Sequence, residues 1–412
     1  MKLEKINQLF ADTAYIRTGG SAEELKCAEY LKAQCAELGL EAHLEEFEVD
    51  MADMKKAVLI VDGKEIPCKG FKGSGSGEVE APFYYKPNVD AYSLQECKGK
   101  IVMVDTGIGR WIYKDMLDNG AVGFISYDGN AFYADEDIDQ RELRSYVSEG
   151  NKILGVNINA KKAIEIVKSG AKTAKIVLDQ DEYKGKSHNV VLDLPGEVAE
   201  TIVFTAHYDS TSLSQGAYDN MSGSIALLGI AEAFANKPHR YGMRFVWCGS
   251  EERGLLGSKA YTAAHEEELK DIVMCINVDM IGCIMGEFLA CCTSEEKLVH
   301  YIQYLSAIEG FGMKAYQDVY SSDSTPFADK GIPAVSFARM APQRTAVVHL
   351  AYDTADVMSA EQMAKDIDFI NLFTDKMVNA KHCPVAKEIP DNMKTKLDNY
   401  LLRKRDGKEI KK

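Results

Sequence analysis

The sequence predicts an α/β protein in which a mostly parallel sheet is sandwiched by helices and a second, small α/β unit interrupts the chain. Three observations carry this expectation. From about residue 188, short apolar runs alternate with helical runs, the pattern of strands covered on both faces by crossover helices. Between about residues 55 and 184 the texture changes to closely spaced strand-like runs, with no cluster of His, Asp and Glu at ligand-like spacing. The chain has 412 residues, 46% hydrophobic and 27% charged, enough for two or three cores of ordinary globular composition.

The elements follow in order. Ser21 reads as the N-cap of a helix over 22–39, and Glu24 three residues on completes a capping box. Leu25, Ala28, Leu31, Cys35 and Leu38 recur at helical spacing, and Gly39 ends the run. A short alternating strand follows over 44–49. In the middle segment strands are expected at 57–61, 100–105, 121–126, 152–157 and 173–178, with helices at 111–118 and 161–168. Gly73-Ser74-Gly75-Ser76-Gly77 reads as a loop. Beyond residue 188, apolar strands are expected at 201–206, 243–248, 272–278 and 333–337. Helical runs lie at 222–234, around 263–270, at 295–308 and, as a closing helix, at 358–380. From Lys394 to Lys412 there are eight basic and three acidic residues, which reads as a solvated, frayed end. The expected division is therefore 1–54 with 185–385 as the main domain, 55–184 as the inserted one, and 386–412 as a basic tail.

Composition excludes several classes of function. A net charge of −15 argues against a nucleic-acid partner, which needs a basic footprint. No stretch approaches the roughly 20 consecutive apolar residues of a membrane span, and the first residues lack the apolar core of a signal peptide. A cytoplasmic protein without membrane association is the expectation. The ten cysteines, with no C-x-x-C among them, read as reduced structural thiols.

Candidate chemistry gathers just beyond the later strands. His207-Tyr208-Asp209 follows the strand at 201–206, Gly249-Ser250-Glu251-Glu252 follows 243–248, Asp279 follows 272–278, and His349 lies in a loop after 333–337. Asp219 precedes the helix that begins near Ser222. In open α/β sheets ligands bind outside the carboxyl ends of the strands, so these segments can converge. Imidazoles and carboxylates are zinc ligands, and there are more of them than one ion needs. The set suits two ions about 3.5–4 Å apart sharing a carboxylate and a water, with a further carboxylate left as base. Taken singly, Asp209 and Asp219 also suit helix caps or turns, and Glu251-Glu252 a solvated helical turn.

Several strings resemble one known family. Ala206-His207-Tyr208-Asp209-Ser210, Ala217-Tyr218-Asp219-Asn220-Met221-Ser222-Gly223, Gly249-Ser250-Glu251-Glu252-Arg253-Gly254-Leu255-Leu256-Gly257-Ser258 and Asn277-Val278-Asp279-Met280-Ile281-Gly282 closely resemble metallopeptidase family 28, the co-catalytic zinc aminopeptidases and their glutamate carboxypeptidase relatives. Ser322-Asp323-Ser324-Thr325-Pro326-Phe327, Gly331-Ile332-Pro333-Ala334 and His349 with Asp353-Thr354 resemble its later blocks. Cys97-Lys98-Gly99-Lys100-Ile101-Val102-Met103-Val104-Asp105 and Gly120-Ala121-Val122-Gly123-Phe124-Ile125 resemble the protease-associated domain often inserted in this family.

The resemblance implies the zinc exopeptidase fold and two Zn²⁺ ions. It implies that His207 and Asp279 bind one zinc, Glu252 and His349 the other, and that Asp219 bridges both. Glu251 would be the general base, acting on a zinc-bridged water to hydrolyse the N-terminal bond of short peptides. Asp209 would accept a hydrogen bond from the far nitrogen of His207. The resemblance also implies a cis peptide between Asp219 and Asn220. Where some relatives carry a tyrosine before the last His ligand, this chain has Val348, and Tyr352 is a candidate substitute. The competing reading is a carboxypeptidase or dipeptidase, for which Arg339 and Arg344 are candidate carboxylate-binding residues. A third, a non-catalytic peptide-binding protein, conflicts with the retained set of site residues.

Overall fold

The computed structural model describes residues 1–88, 92–105, 107–132, 137–405 and 408–409. The chain divides into two units, Met1–Glu48 with Lys186–Lys412, and Val49–Gly185. It passes from one to the other within two long strands, Ala42–Val61 and Thr173–Leu194, where the sequence pattern shows only short ones.

The larger unit is built on strands β1 (Thr201–His207), β2 (Gly242–Cys248), β3 (Ile272–Val278), β4 (Glu287–Thr293), β5 (Met313–Gln317) and β6 (Ala334–Met340). Its helices are α1 (Leu3–Asp12), α2 (Ala22–Glu37), α3 (Ser222–Phe234), α4 (Leu256–Ala264), α5 (Glu296–Glu309), α6 (Ser324–Asp329), α7 (Ala360–Val378) and α8 (Asp391–Tyr400). The central four strands, ordered β2-β1-β3-β6, run parallel. The margins reverse: β4 is antiparallel to β6, and residues 190–194 are antiparallel to β2. The sheet is thus mixed, with a parallel centre. Helix α3 is apolar on every side and buried over most of its length, as a helix pressed between sheet and outer helices must be.

Register brings the chemistry to one edge. Cys248 of β2 pairs with His207 of β1, Thr205 of β1 with Asn277 of β3, and Val278 of β3 with Phe337 of β6. The segments leaving these strands therefore all start at one level.

Strands β4 and β5 carry no expectation from sequence, because the apolar run Phe288-Leu289-Ala290-Cys291-Cys292 lacks β-branched residues and β5 is a half-exposed edge. Two local expectations are corrected. The polar stretch at 263–270 is the end of α4 followed by one 3₁₀ turn, Leu269–Asp271. The described part of the expected frayed end, residues 394–405, is not frayed: α8 buries Met393 and Leu397, with Ile389 just before it, in a cluster that includes Tyr261 and Phe327. Residues 406–407 and 410–412 of that expected tail lie outside the described residues. All ten cysteines are free thiols. Among the described residues no helix is long and apolar enough to cross a membrane.

In the smaller unit, Gly77–Lys86, Ile101–Val104, Gly123–Asp128 and Leu154–Asn159 form a parallel sheet. Alternation divides its two faces. Ile101, Met103, Ile125 and Val156 enter one apolar cluster, and Val102, Val104 and Phe124 enter another.

Candidate metal centre

Each candidate ligand is fixed by backbone around it. His207 ends β1, and its carbonyl accepts a hydrogen bond from Ser224 Oγ at 2.9 Å. Asp219 lies in the turn before α3, and the Asp219–Asn220 peptide is cis. The Asn220 side chain ties that turn to the segment after β3: Nδ2 donates to the Val278 carbonyl at 3.0 Å, while Oδ1 accepts from Met280 N at 3.0 Å and Gly223 N at 2.9 Å. A Cβ at Gly223 would stand 2.2 Å from the Val278 carbonyl oxygen, so this approach requires glycine. Asp279 follows β3 directly, its N–H donating to the Phe337 carbonyl at 3.0 Å.

The candidate ligands come together as two triads, His207–Asp219–Asp279 and Asp219–Glu252–His349, with Asp219 common to both. Its two oxygens face opposite ways. Oδ1 lies 3.1 Å from His207 Nε2, and Oδ2 lies 3.2 Å from His349 Nε2. His349 Nε2 is 3.1 Å from Glu252 Oε2, and His207 Nε2 is 3.8 Å from Asp279 Oδ1. Glu251 Oε2 stands 3.9 Å from His207 Nε2, on the same cluster but in neither triad. Asp279 Oδ1 is buried without a hydrogen-bond partner. A buried carboxylate oxygen left unsatisfied among imidazoles and other carboxylates fits a cation site, since burial without a partner is costly.

The electrostatics agree. Burial pushes Glu251 well above the ordinary carboxylate range; Glu252, Asp323 and Asp279 push it the same way, and His207 opposes them. Burial also lifts Asp279 to about 7, and burial with the Asp219 charge lifts Glu252. At Asp219 burial acts upward, but the imidazoles of His207 and His349 outweigh it and hold the group low. Burial alone would lower His349, and the carboxylates of Asp219 and Glu252 instead raise it to about 11. The pocket is short of positive charge, and divalent cations would invert this balance.

Asp209 is turned toward backbone. Its Oδ1 accepts from Glu251 N at 2.9 Å and its Oδ2 from Glu252 N at 3.2 Å. His207 Nδ1 lies 3.4 Å from Asp209 Oδ1, in ion-pair range but not aligned as a hydrogen bond.

Of the two carboxylate-binding candidates, Arg339 is engaged elsewhere. Arg339 is a buried structural residue: Nε and Nη2 donate to Asp366 at 2.8 and 2.6 Å, and Nη1 donates to the Gly286 carbonyl at 2.7 Å. Its fork is fully engaged. Arg344 is exposed. Tyr352 is 65% exposed, and Val348 packs on the main apolar core.

Three further residues shape the site; Asp353 lies in a block the sequence resembles, whereas Arg17 and Tyr320 are not singled out by sequence patterning. Asp353 is wholly buried and accepts from Tyr218 N at 2.7 Å, Asp219 N at 3.2 Å and Ser214 Oγ at 3.2 Å, fixing the bridging turn. Arg17, also buried, donates to the carbonyls of Tyr208, Gln215 and Gly216 and so joins the loops on either side of the site. The hydroxyl of Tyr320 lies 3.4 Å from the Asp279 carbonyl oxygen. Their only sequence signal is position near a motif, because each acts on main chain far away in sequence.

Paired imidazole–carboxylate triads at the carboxyl edge of a parallel sheet define a metal-dependent hydrolase centre. Residues 189–372 match the model of peptidase family M28. Aminopeptidase YwaD of Bacillus subtilis is 26% identical over 419 residues, covering 93% of this chain and 86% of the relative. The solved structure of BSAP, a zinc aminopeptidase from Bacillus subtilis, superposes with a TM-score of 0.76 at 24% identity, covering 95% of this chain and 97% of that one. An aminopeptidase from Aneurinibacillus sp. strain AM-1 gives a TM-score of 0.76 at 21% identity, over 93% and 96% of the two chains.

Proposed function

We propose that the protein is a zinc-dependent metallo-aminopeptidase that removes the N-terminal residue of short peptides. The observation that carries this reading is the division of Asp219, one oxygen toward each imidazole-containing triad. His207 and Asp279 would hold one zinc, Glu252 and His349 the second, and Asp219 both. Two zinc ions held there would acidify a water and polarise the scissile carbonyl. Glu251, buried beside both triads but part of neither, takes the proton from the attacking water and delivers it to the leaving amine. We also read residues 55–184 as the protease-associated-like domain that the sequence resembles.

Polarity follows from charge. A substrate's free ammonium is at home among surplus carboxylates, whereas a terminal carboxylate needs a fixed cation. The fork of Arg339 is committed to Asp366, which removes one of the two candidates for that role. The test compares a good dipeptide substrate with its modified forms in the presence of zinc. N-acetylation is expected to abolish cleavage and C-terminal amidation to leave it. The opposite pattern would establish a carboxypeptidase.

A further inference from the structure

The turn that presents Glu251 and Glu252 is held in an unusual way. Four consecutive backbone N–H groups, 249 to 252, donate to side-chain oxygens rather than to other backbone. Gly249 N donates to Asn189 Oδ1 at 3.2 Å and Ser250 N to Glu24 Oε1 at 2.7 Å. Glu251 N and Glu252 N go to the two oxygens of Asp209. Ser250 sits at φ 53, a conformation that a non-glycine residue adopts only when its surroundings impose it.

Glu24 is the remote member of this set, 226 residues away in sequence. The sequence reads it as half of a capping box, but its carboxylate does not return to Ser21 N. Ser21 Oγ accepts from Glu24 N at 3.1 Å, so half of the box exists. The Glu24 carboxylate instead spans outward: Oε2 accepts from Gly20 N at 2.6 Å, while Oε1 accepts from Ser250 N, Ser250 Oγ at 3.1 Å and Ser187 Oγ at 2.9 Å. It is 1% exposed. The packing around it leaves no slack. A Cβ on Gly19 would lie 2.4 Å from Ser250 Oγ, and one on Gly249 would lie 2.9 Å from Glu24 Oε1.

We propose that Glu24 is a positioning residue for the hydrolytic reaction. Through Ser250 it fixes the turn on one side while Asp209 fixes it on the other. The two adjacent glutamates are thereby held in divergent directions, Glu252 toward His349 and Glu251 toward the attacking water. The inference rests on the proposed role of Glu251 and extends it to α2, which carries no candidate ligand.

The experiment measures kcat, KM, zinc content and Tm for Glu24→Ala, Glu24→Gln and Ser21→Ala in the full chain, with Glu251→Gln alongside. Glu24→Ala is expected to lower kcat at least tenfold, with KM within twofold and both zincs retained. Glu24→Gln should recover most of that loss, because its amide oxygen still accepts from Ser250 N. Ser21→Ala removes the cap of the same helix without touching the turn, so it should lower Tm and leave kcat unchanged. Should Glu24→Ala fail to fold, Gly19→Ala carries the test: its methyl crowds Ser250 Oγ, and the same selective fall in kcat is expected. If Glu24→Ala, or Gly19→Ala in its place, lowers Tm but keeps wild-type kcat, as Ser21→Ala does, Glu24 is a helix cap only and the proposal is overturned. A Glu251→Gln variant with wild-type turnover would instead overturn the base assignment, a separate failure.

Discussion

Asp219 offers one carboxylate to two imidazoles, and no neighbouring group can reproduce both contacts. Asp219→Ala should therefore empty the centre: zinc measured by atomic absorption after gel filtration is expected to fall well below two per chain. Full occupancy in that variant would contradict the bridging assignment. Glu251→Gln should behave in the opposite way. The amide keeps the shape but cannot take a proton, so zinc stays while turnover drops by about 10²–10⁴-fold. At this scale the recurring local strings mark His207, Glu252 and Asp279, side chains that the fold brings into two adjoining triads. They assign no role where a residue acts on distant main chain. Asp353 closes hydrogen bonds to Tyr218 and Asp219 some 134 positions away, and nothing local to Asp353 announces them.

At the scale of elements, apolar runs bounded by turns located β1, β2, β3 and β6 because central strands buried on both faces are continuous hydrophobic runs. The apolar run of β4 lacks β-branched residues and β5 is a half-exposed edge, and both went unmarked. In α8 the apolar stripe Ile389, Met393 and Leu397 recurs every four residues, but the surrounding basic charge obscures it. Arg339 illustrates the same limit. Its type and loop position suggest a ligand for a carboxylate, whereas its partner is Asp366 on α7. Arg339→Ala should leave Asp366 as a buried charge without its counter-ion. Losing one member of such a pair costs about 3–5 kcal/mol, read as a lowered urea midpoint, while KM for dipeptides is expected to stay within twofold. A large rise in KM with unchanged stability would return Arg339 to the substrate site.

For the whole molecule, the candidate ligands come from five segments spread between His207 and His349, so the centre exists only in the folded state. Metal that binds the native state alone stabilises it by mass action. Chelation should lower the melting temperature, and zinc should restore it. The gain is about 4 kcal/mol when free zinc stands a thousandfold above its Kd. A melting temperature indifferent to chelator would mean that the metals contribute nothing to the native state. The division of the chain into two units was legible as a change of texture near residues 55 and 185. The long strands within which the chain passes between them were not, since their polar, half-exposed middles resemble loops.

The division Met1–Glu48 with Lys186–Lys412 has a consequence for synthesis. Helices α1 and α2 leave the ribosome before their partners, for Ile6, Leu9, Phe10, Cys27, Ala28, Leu31 and Cys35 belong to a core whose other buried members all come from beyond residue 186. At roughly 5–20 residues per second, about seven to twenty-seven seconds pass while residues 49–185 are made. Throughout that time the two helices lack their main core partners on the nascent chain. A ribosome-stalled chain ending near residue 185 should accordingly show protease protection over 49–185 and rapid cleavage within 1–48. Protection of the first segment in that stalled chain would show that it finds an earlier partner.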